Sequence, residues 1–297
     1  GFYSLSHETL KIGADNPDNF YQNAALDGRL EYKISGTRGT VHYLGFSTKS
    51  GGFGSTGGLA PTGFLDSTTL AVGPDGRFEI IVSATRHEGN WLPMTAETSM
   101  LIVRQTFLDR RAERRAELAI TRHPTPSAPK PLDPATIAAR LANAARFVEG
   151  TARVFAEWAA GFAATPNTLP PQDQARYLAA GGDPSIHYYH GYFRLGPDEA
   201  LVVDVPRIPR CESWNLQINN HWMESMDYRY VRAHVNKHTA VYAPDGSCVI
   251  VIAGRDPGRP NWLDTAGHTD GTLCFRWIGA DEIVDPRARL VPLAHLT

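Results

Sequence analysis

Apolar and polar positions along this chain change period twice. Short runs rich in Val, Ile, Phe and Tyr, bounded by Gly, Pro, Asp and Ser, predict β-strands over 29–35, 39–46 and 98–107. They recur over 190–195, 200–205, 213–219 and 272–278. Between these regions the period becomes helical: Ile137, Leu141, Ala144 or Ala145, Val148, Phe155 and Phe162 follow one another at helical spacing to about residue 163. Asp133 is the expected N-cap and Pro134 the first helical residue. The stripe reads as a packing face rather than a cofactor box. A charged helix is expected over 108–120 and a short one over 172–180. Pro124 to Pro134 reads as a Pro-rich connector. Gly51 to Gly58 reads as a mobile loop whose glycine spacing fits no phosphate-binding fingerprint and which lacks the Lys-Ser/Thr of a P-loop.

The strands repeat. Pro74-Asp75-Gly76 aligns with Pro244-Asp245-Gly246, the apolar run 80–82 with 250–252, and Asn90-Trp91-Leu92 with Asn261-Trp262-Leu263 after a one-residue gap; Arg104 then pairs with Arg276. Tyr32-Lys33-Ile34-Ser35-Gly36 loosely echoes Tyr192-Phe193-Arg194-Leu195-Gly196. In each copy Asp-Gly between apolar segments predicts a hairpin, because Gly accepts positive φ and Asp tolerates it. The expectation is a mainly β chain of two β-sandwich or jelly-roll-like modules joined by a long amphipathic helix. Its parts are an N-terminal β module over 1–122, a Pro-rich connector and helical segment over 123–184, and a C-terminal β module over 185–297.

Composition narrows the function. The 297 residues are 42% hydrophobic, enough for one large core or two smaller ones. A net charge of −2 argues against nucleic acid, and the one dense basic run, Arg110 to Arg115, carries its own acids and reads as a solvated face. The three cysteines, Cys211, Cys248 and Cys274, are widely spaced without a C-x-x-C, which argues against a disulfide framework and against structural zinc. No stretch approaches the length of a membrane span. Gly1-Phe2-Tyr3-Ser4 shows no basic-then-apolar leader, although the chain lacks an initiator Met and a removed leader would leave no trace. A cytoplasmic homo-oligomer without cofactor or metal is expected.

The residues that carry chemistry gather in the second copy. Asp264, Thr265 and His268 follow Asn261-Trp262-Leu263, where the first copy has Pro93-Met94; residues that differ between copies of one scaffold are site candidates, the alternative being an ordinary polar turn. Asn-Trp-Leu, shared by both copies, reads as structural, with Trp filling a core pocket and Asn capping a turn. His187-Tyr188-Tyr189-His190 and His221-Trp222-Met223-Glu224 offer histidines for metal ligation or proton transfer. His221 and Glu224 converge only if their segment is helical or turned. His234, Asn236 and His238 share a face if 233–239 is extended. No set matches H-E-x-x-H or a cupin signature, and the G-x-S-x-G elbow of a serine hydrolase is absent.

Asn219-Asn220-His221-Trp222-Met223-Glu224-Ser225-Met226-Asp227-Tyr228-Arg229, Asn236-Lys237-His238-Thr239, Asp245-Gly246-Ser247, Asp256-Pro257-Gly258 through Asn261-Trp262-Leu263-Asp264-Thr265-Ala266-Gly267, and Arg276-Trp277 resemble, in that order, the family known as domain of unknown function 1214. The likeness covers roughly residues 185–280; the family's arginine-tyrosine-proline ending is Arg276-Trp277-Ile278 here. It implies a jelly-roll-type β domain beside a second one and a link to lipid, steroid or aromatic catabolism, but no catalytic residues. Two functions stay open. One is an enzyme, a hydrolase or lyase, acting on an apolar small molecule: His221, Glu224, Asp264, His268 and Arg276 would do the polar work, and Trp214, Trp222, Tyr228, Asn261 and Trp262 would hold the substrate in a pocket at the open end of the second module or at its contact with the first. The other is a non-catalytic ligand-binding or assembly protein.

Overall fold

The computed structural model of the chain describes residues 1–53, 58–123 and 131–296. Gly54 to Gly57 of the glycine-rich loop and Pro124 to Lys130 of the connector lie outside the described residues. The chain forms two compact units. The first comprises Gly1–Leu5, Asn19–Val154 and Ala175–Asp183; the second comprises Ser6–Asp18, Phe155–Gln174 and Pro184–Thr297.

The first unit holds β1 (Asn19–Ala25), β2 (Glu31–Thr37), β3 (Tyr43–Gly51), β4 (Leu59–Asp66), β5 (Arg77–Ser83), β6 (Trp91–Pro93), β7 (Thr98–Thr106) and β8 (Glu117–His123). They form two four-stranded sheets, ordered β1-β7-β3-β4 and β6-β5-β2-β8. Leu44 and Phe46 from one sheet and Ile34, Phe78, Ile80 and Val82 from the other fill the core. The second unit holds β9 (Ile186–Arg194), β10 (Glu199–Val205), β11 (Ser213–Ile218), β12 (His234–Asn236), β13 (Cys248–Ala253), β14 (Trp262–Asp264), β15 (Asp270–Ile278) and β16 (Arg287–Pro292). Its sheets run β12-β11-β15-β9 and β14-β13-β10-β16, so each strand of the first unit has a counterpart eight places on. In both units the strand pairs are antiparallel except the one to the Asn-Trp-Leu strand, where Ile81 faces Trp91 and Val251 faces Trp262. The two-sandwich repeat is therefore complete. The echo between residues 32 and 192 does not belong to it, because β2 corresponds to β10.

The turn chemistry is also duplicated. Gly76 and Gly246 sit at φ 79° and 82°, a conformation that glycine adopts freely. Their N–H groups donate to Gly73 and Ala243, while Gly73 and Ala243 donate to Arg77 and Ser247. The arm before each turn is not a sheet strand, as the hairpin pattern suggested, because an asparagine holds it instead. Asn90 accepts from the Ala71 N–H and donates to the Ala71 and Glu79 carbonyls. Asn261 does the same for Val241 and Val249.

The long helix α1 (Pro134–Ala163) begins as its cap predicts, with the Thr136 N–H donating to Asp133 at 2.9 Å. Its stripe divides. Phe155, Trp158 and Phe162 are buried, but Ile137, Leu141 and Val148 are exposed, so the expected packing face is realised only in the C-terminal part. The short helix α2 (Gln174–Ala179) lies where expected. No helix covers 108–120. The Glu113 carboxylate takes the N–H groups of Leu108, Asp109 and His42, and Asp109 takes that of Arg111. Such side-chain bonds compete with helical ones, and β8 pairs with β2 from Glu117 onward.

Candidate functional site

In the second unit the sheet β12-β11-β15-β9 has two unlike faces. Trp214, Leu216, Ile218, Phe275, Trp277, Tyr189 and Phe193 face the sandwich core. The alternate residues are polar, and strand register places them in rows: Tyr188, Arg276, Asn215 and Asn236, then His190, Cys274, Gln217 and His234, then Tyr192 and Thr272. Although polar, most of this face is buried. A buried polar face needs partners, and the segment Ser6–Asp18 supplies many of them. Arg276 donates to the Ala14 carbonyl and to Gln217. Asn215 and Asn236 donate to Asn16 and Asp18 at 2.7 and 2.9 Å, and Gln217 to the Asp15 carbonyl. His234 lies 3.2 Å from Asp18. Asp15 accepts from the Ser225 hydroxyl and N–H. Burial pushes its carboxyl up, against the opposing pull of Lys11, Ser225 and Arg276.

The first unit repeats the arginine. Arg104 occupies the position of Arg276, between Tyr21 and Gly45 in register. It donates to the Gly181 carbonyl at 2.7 Å and lies 3.8 Å from Asp183. Beside it Lys49 is fully buried and donates to the Gly182 carbonyl at 2.6 Å. The lead-in segments are thus exchanged: residues 6–18, which precede β1, cover the second unit, and residues 175–183, which precede β9, cover the first. An arginine present in both copies, bound to a covering segment in both, acts in positioning that cover.

Chemistry specific to one copy lies at the end of the polar face. The Tyr192 hydroxyl donates to Asp270 at 2.8 Å and contacts Nδ1 of His221 at 2.8 Å. A phenol has one proton, and an ionised carboxylate only accepts. With that proton directed to Asp270, Tyr192 must accept from Nδ1–H of His221. This fixes the neutral imidazole in one tautomer and leaves the Nε2 lone pair available. Nε2 has no hydrogen-bond partner among the described residues. Burial, followed by the bond to Asp270 and its charge, pushes the Tyr192 hydroxyl up to about 12, so it stays protonated. Trp222, 59% exposed, meets the His221 ring edge to face at 4.7 Å. The equivalents of Tyr192 and Asp270 in the first unit are Ala25 and Thr98, which cannot form the relay.

Strained backbone surrounds this rim. Four described non-glycine residues have positive φ, and three bear on it: Met223 at 62°, Asn167 at 61° and Ala14 at 55°. Met223 follows Trp222 in the turn, and its carbonyl accepts from the Ala14 N–H at 2.6 Å. The Asn167 N–H donates to the Tyr192 carbonyl at 2.6 Å.

The residues singled out from sequence fall into three groups. His221 and Trp222 stand at the rim, and Glu224 shares their turn, its carboxylate accepting from the Asn220 amide at 2.6 Å. Arg276 is on the same face but beneath Ser6–Asp18, and Tyr228 lies under the Lys11 ammonium at 4.5 Å. The others are not brought to the rim. Trp214 is in the core, stacked on Phe275. Asn261 ties two segments together as described, and Trp262, half-buried, donates to the Ala253 carbonyl as Trp91 does to Ser83. Asp264 accepts from the Ala266 N–H within its own turn, and His268 is exposed. A shallow groove of about 730 Å³ crosses β5, β2 and β8 of the first unit, lined by Arg77, Phe78, Glu79 and Glu117, away from the residues singled out in the second module. Among the described residues no three His, Cys, Asp or Glu side chains converge as metal ligands, and no helix is long and apolar enough to cross a membrane. The cysteines are free and buried. Sequence reasoning missed Tyr192, Asp270 and Asp15. The available signal was polar alternation in Trp214-Asn215-Leu216-Gln217-Ile218-Asn219, a strand apolar enough to be core on one side.

Residues 197–282 match the family model described as Protein of unknown function (DUF1214). The chain is similar to an uncharacterized protein from Burkholderia cenocepacia of known crystal structure: 53% identity, a TM-score of 0.98, and coverage of 99% of this chain and 82% of that one. It also resembles the VPA0106 protein from Vibrio parahaemolyticus, with 14% identity, a TM-score of 0.58, and coverage of 94% and 90%, a likeness of fold alone. No curated protein matches.

Proposed function

The chain belongs to the family described as Protein of unknown function (DUF1214), and on that premise we propose that it is an enzyme, a hydrolase or lyase, in which His221 exchanges a proton with a largely apolar small molecule held against Trp222. The observation that carries this reading is the Asp270–Tyr192–His221 relay. A base oriented by a second group, itself oriented by a third, is the arrangement that catalytic proton transfer needs. The relay is confined to one copy of a duplicated scaffold, where a merely structural device would be expected in both. Lipid, steroid or aromatic catabolism in the cytoplasm goes with this reading as its setting.

The test is solvent deuterium incorporation. Ring-bearing and acyl compounds are incubated with the protein in D₂O, and exchange or cleavage is followed by NMR. His221→Ala is expected to abolish turnover and Tyr192→Phe to lower it by about 10²-fold, the lower range for acid–base catalysis. Turnover unchanged in His221→Ala sinks the reading. One observation favours the assembly alternative: Ile137, Leu141 and Val148 form an exposed apolar stripe on α1. Sedimentation of Leu141→Glu beside the native chain tests it, with a loss of oligomer as the expected result.

A further inference from the structure

Arg194 ends β9 at the same rim. Its guanidinium lies over the Tyr192 ring, with Cζ 5.7 Å from the centroid, and the His221 ring is 5.8 Å from that centroid. The cationic group and the imidazole therefore flank one tyrosine. Arg194 is exposed, and among the described residues its guanidinium makes no hydrogen bond or ion pair. Its strand partner in register is Asp270, the obvious counter-charge. Asp270 instead accepts the Tyr192 hydroxyl, and no ion pair forms between the two.

The backbone under Arg194 is held firmly. Its N–H donates to the Asn167 side chain and its carbonyl accepts from the same amide, both at 2.9 Å. Asn167 adopts its left-handed conformation while clamping Arg194 in this way. Trp222 on the adjoining turn is likewise fixed, its N–H donating to Asn220 at 2.9 Å while its ring remains exposed. The turn is anchored again by the Asn219–Ser225 bridge and by Ala14.

From this geometry we infer that the molecule handled at the rim is a planar, ring-bearing carboxylate, its ring laid on Trp222 and its carboxylate taken by Arg194. The assignment rests on the reading of His221 as the proton-exchanging group and names the substrate class for that site. A guanidinium presents paired N–H donors in a planar fork that matches a carboxylate, and an indole face supplies apolar area and stacking. The carboxylates of the rim accept from neutral donors, Asp270 from Tyr192 and Glu224 from Asn220, and among the described residues neither pairs with Arg194.

The test compares two probes by isothermal titration on the full chain: 2-naphthoate and its neutral analogue 2-naphthalenemethanol. Naphthoate is expected to bind about tenfold more tightly at low salt. In Arg194→Gln it should fall to the affinity of the alcohol, and Trp222→Ala should weaken both. Equal binding of the two probes, a preference that survives Arg194→Gln, or no binding of either overturns the carboxylate assignment. Each of these leaves the His221 reading to the deuterium experiment, which uses neutral compounds as well. Loss of turnover in His221→Ala together with equal probe binding would thus reject the substrate class alone, whereas a strong naphthoate preference with turnover intact in His221→Ala would reject the proton-transfer reading alone.

Discussion

Replacing Lys49 by Met should stabilise the protein at neutral pH and remove a pH dependence from its stability. Lys49 is fully buried in the first unit beside Arg104 and Asp183, and its ammonium donates to the Gly182 carbonyl. Burial, reinforced by Arg104 and opposed by Asp183, brings its pKa from 10.5 down to about 7. At about 1.36 kcal/mol per unit, this gap costs the folded state about 5 kcal/mol below pH 7, where the lysine is protonated in both states. Methionine avoids that cost but leaves the Gly182 carbonyl without this donor, a loss of about 1–3 kcal/mol. Lys49→Met should therefore be more stable by about 2–4 kcal/mol below pH 7. The sign with pH follows from proton counting. Between pH 7 and 10.5 the unfolded lysine holds a proton that the folded one has released, so the native protein gains stability as pH rises. The advantage of the variant should shrink through this window and reverse between about pH 8 and 10, where the remaining lysine cost falls below that of the lost bond. Urea denaturation of both proteins by circular dichroism from pH 6 to 10 measures the difference, in which the other lysines cancel. A difference that stays flat across the window would refute the reasoning, because it would mean that Lys49 titrates as an ordinary lysine.

Other consequences can be checked as directly. Asp270→Asn removes the negative charge beside the Tyr192 hydroxyl and leaves it a weaker, neutral acceptor, so its pKa should fall from about 12 toward 10, read as one tyrosinate absorbing earlier in an alkaline difference titration. Arg276→Gln takes the charged donor from the Ala14 carbonyl and leaves Asp15 buried without its arginine; a loss of about 3 kcal/mol is expected, with faster proteolysis within residues 6–18. Ala266 is exposed and holds φ 53°, so Ala266→Gly should raise stability by about 1 kcal/mol in thermal unfolding.

The scaffold was legible because its signals are local. Pro-Asp-Gly, Asn-Trp-Leu and the apolar runs between them recur with the strands they punctuate, and Asp133-Pro134 marks a helix start by short-range hydrogen bonding alone. The charged stretch 108–120 misled because helix propensity could not reveal that Glu113 would bind the backbone of His42, 71 residues earlier. The site was half legible. His221 and Trp222 stand out by residue type, whereas Tyr192 and Asp270 become partners only through the register of β9 with β15. Asp15 lies over two hundred residues from Ser225, the group it accepts from. Long-range pairing of this kind leaves no periodic trace in a single sequence. Trp214 looked like a pocket residue for the complementary reason: a buried tryptophan has the same letter whether it lines a cavity or fills one.

The exchange of lead-in segments also sets a timetable for synthesis. A ribosome finishes the eight strands of the first unit at residue 123, yet the stretch that caps Lys49 and Arg104 ends at residue 183. At about 5–20 residues per second those sixty residues take roughly 3–12 s, during which a nascent sheet holds two cations without their carbonyl acceptors. Residues 6–18 meanwhile wait for strands still unwritten. A truncated message ending in the connector would yield an exposed charged face and an orphaned leader, a product suited to chaperone capture or degradation. Expressing either half alone should fail for this reason, whereas co-expressing the two halves returns each leader to the cell that makes its sheet.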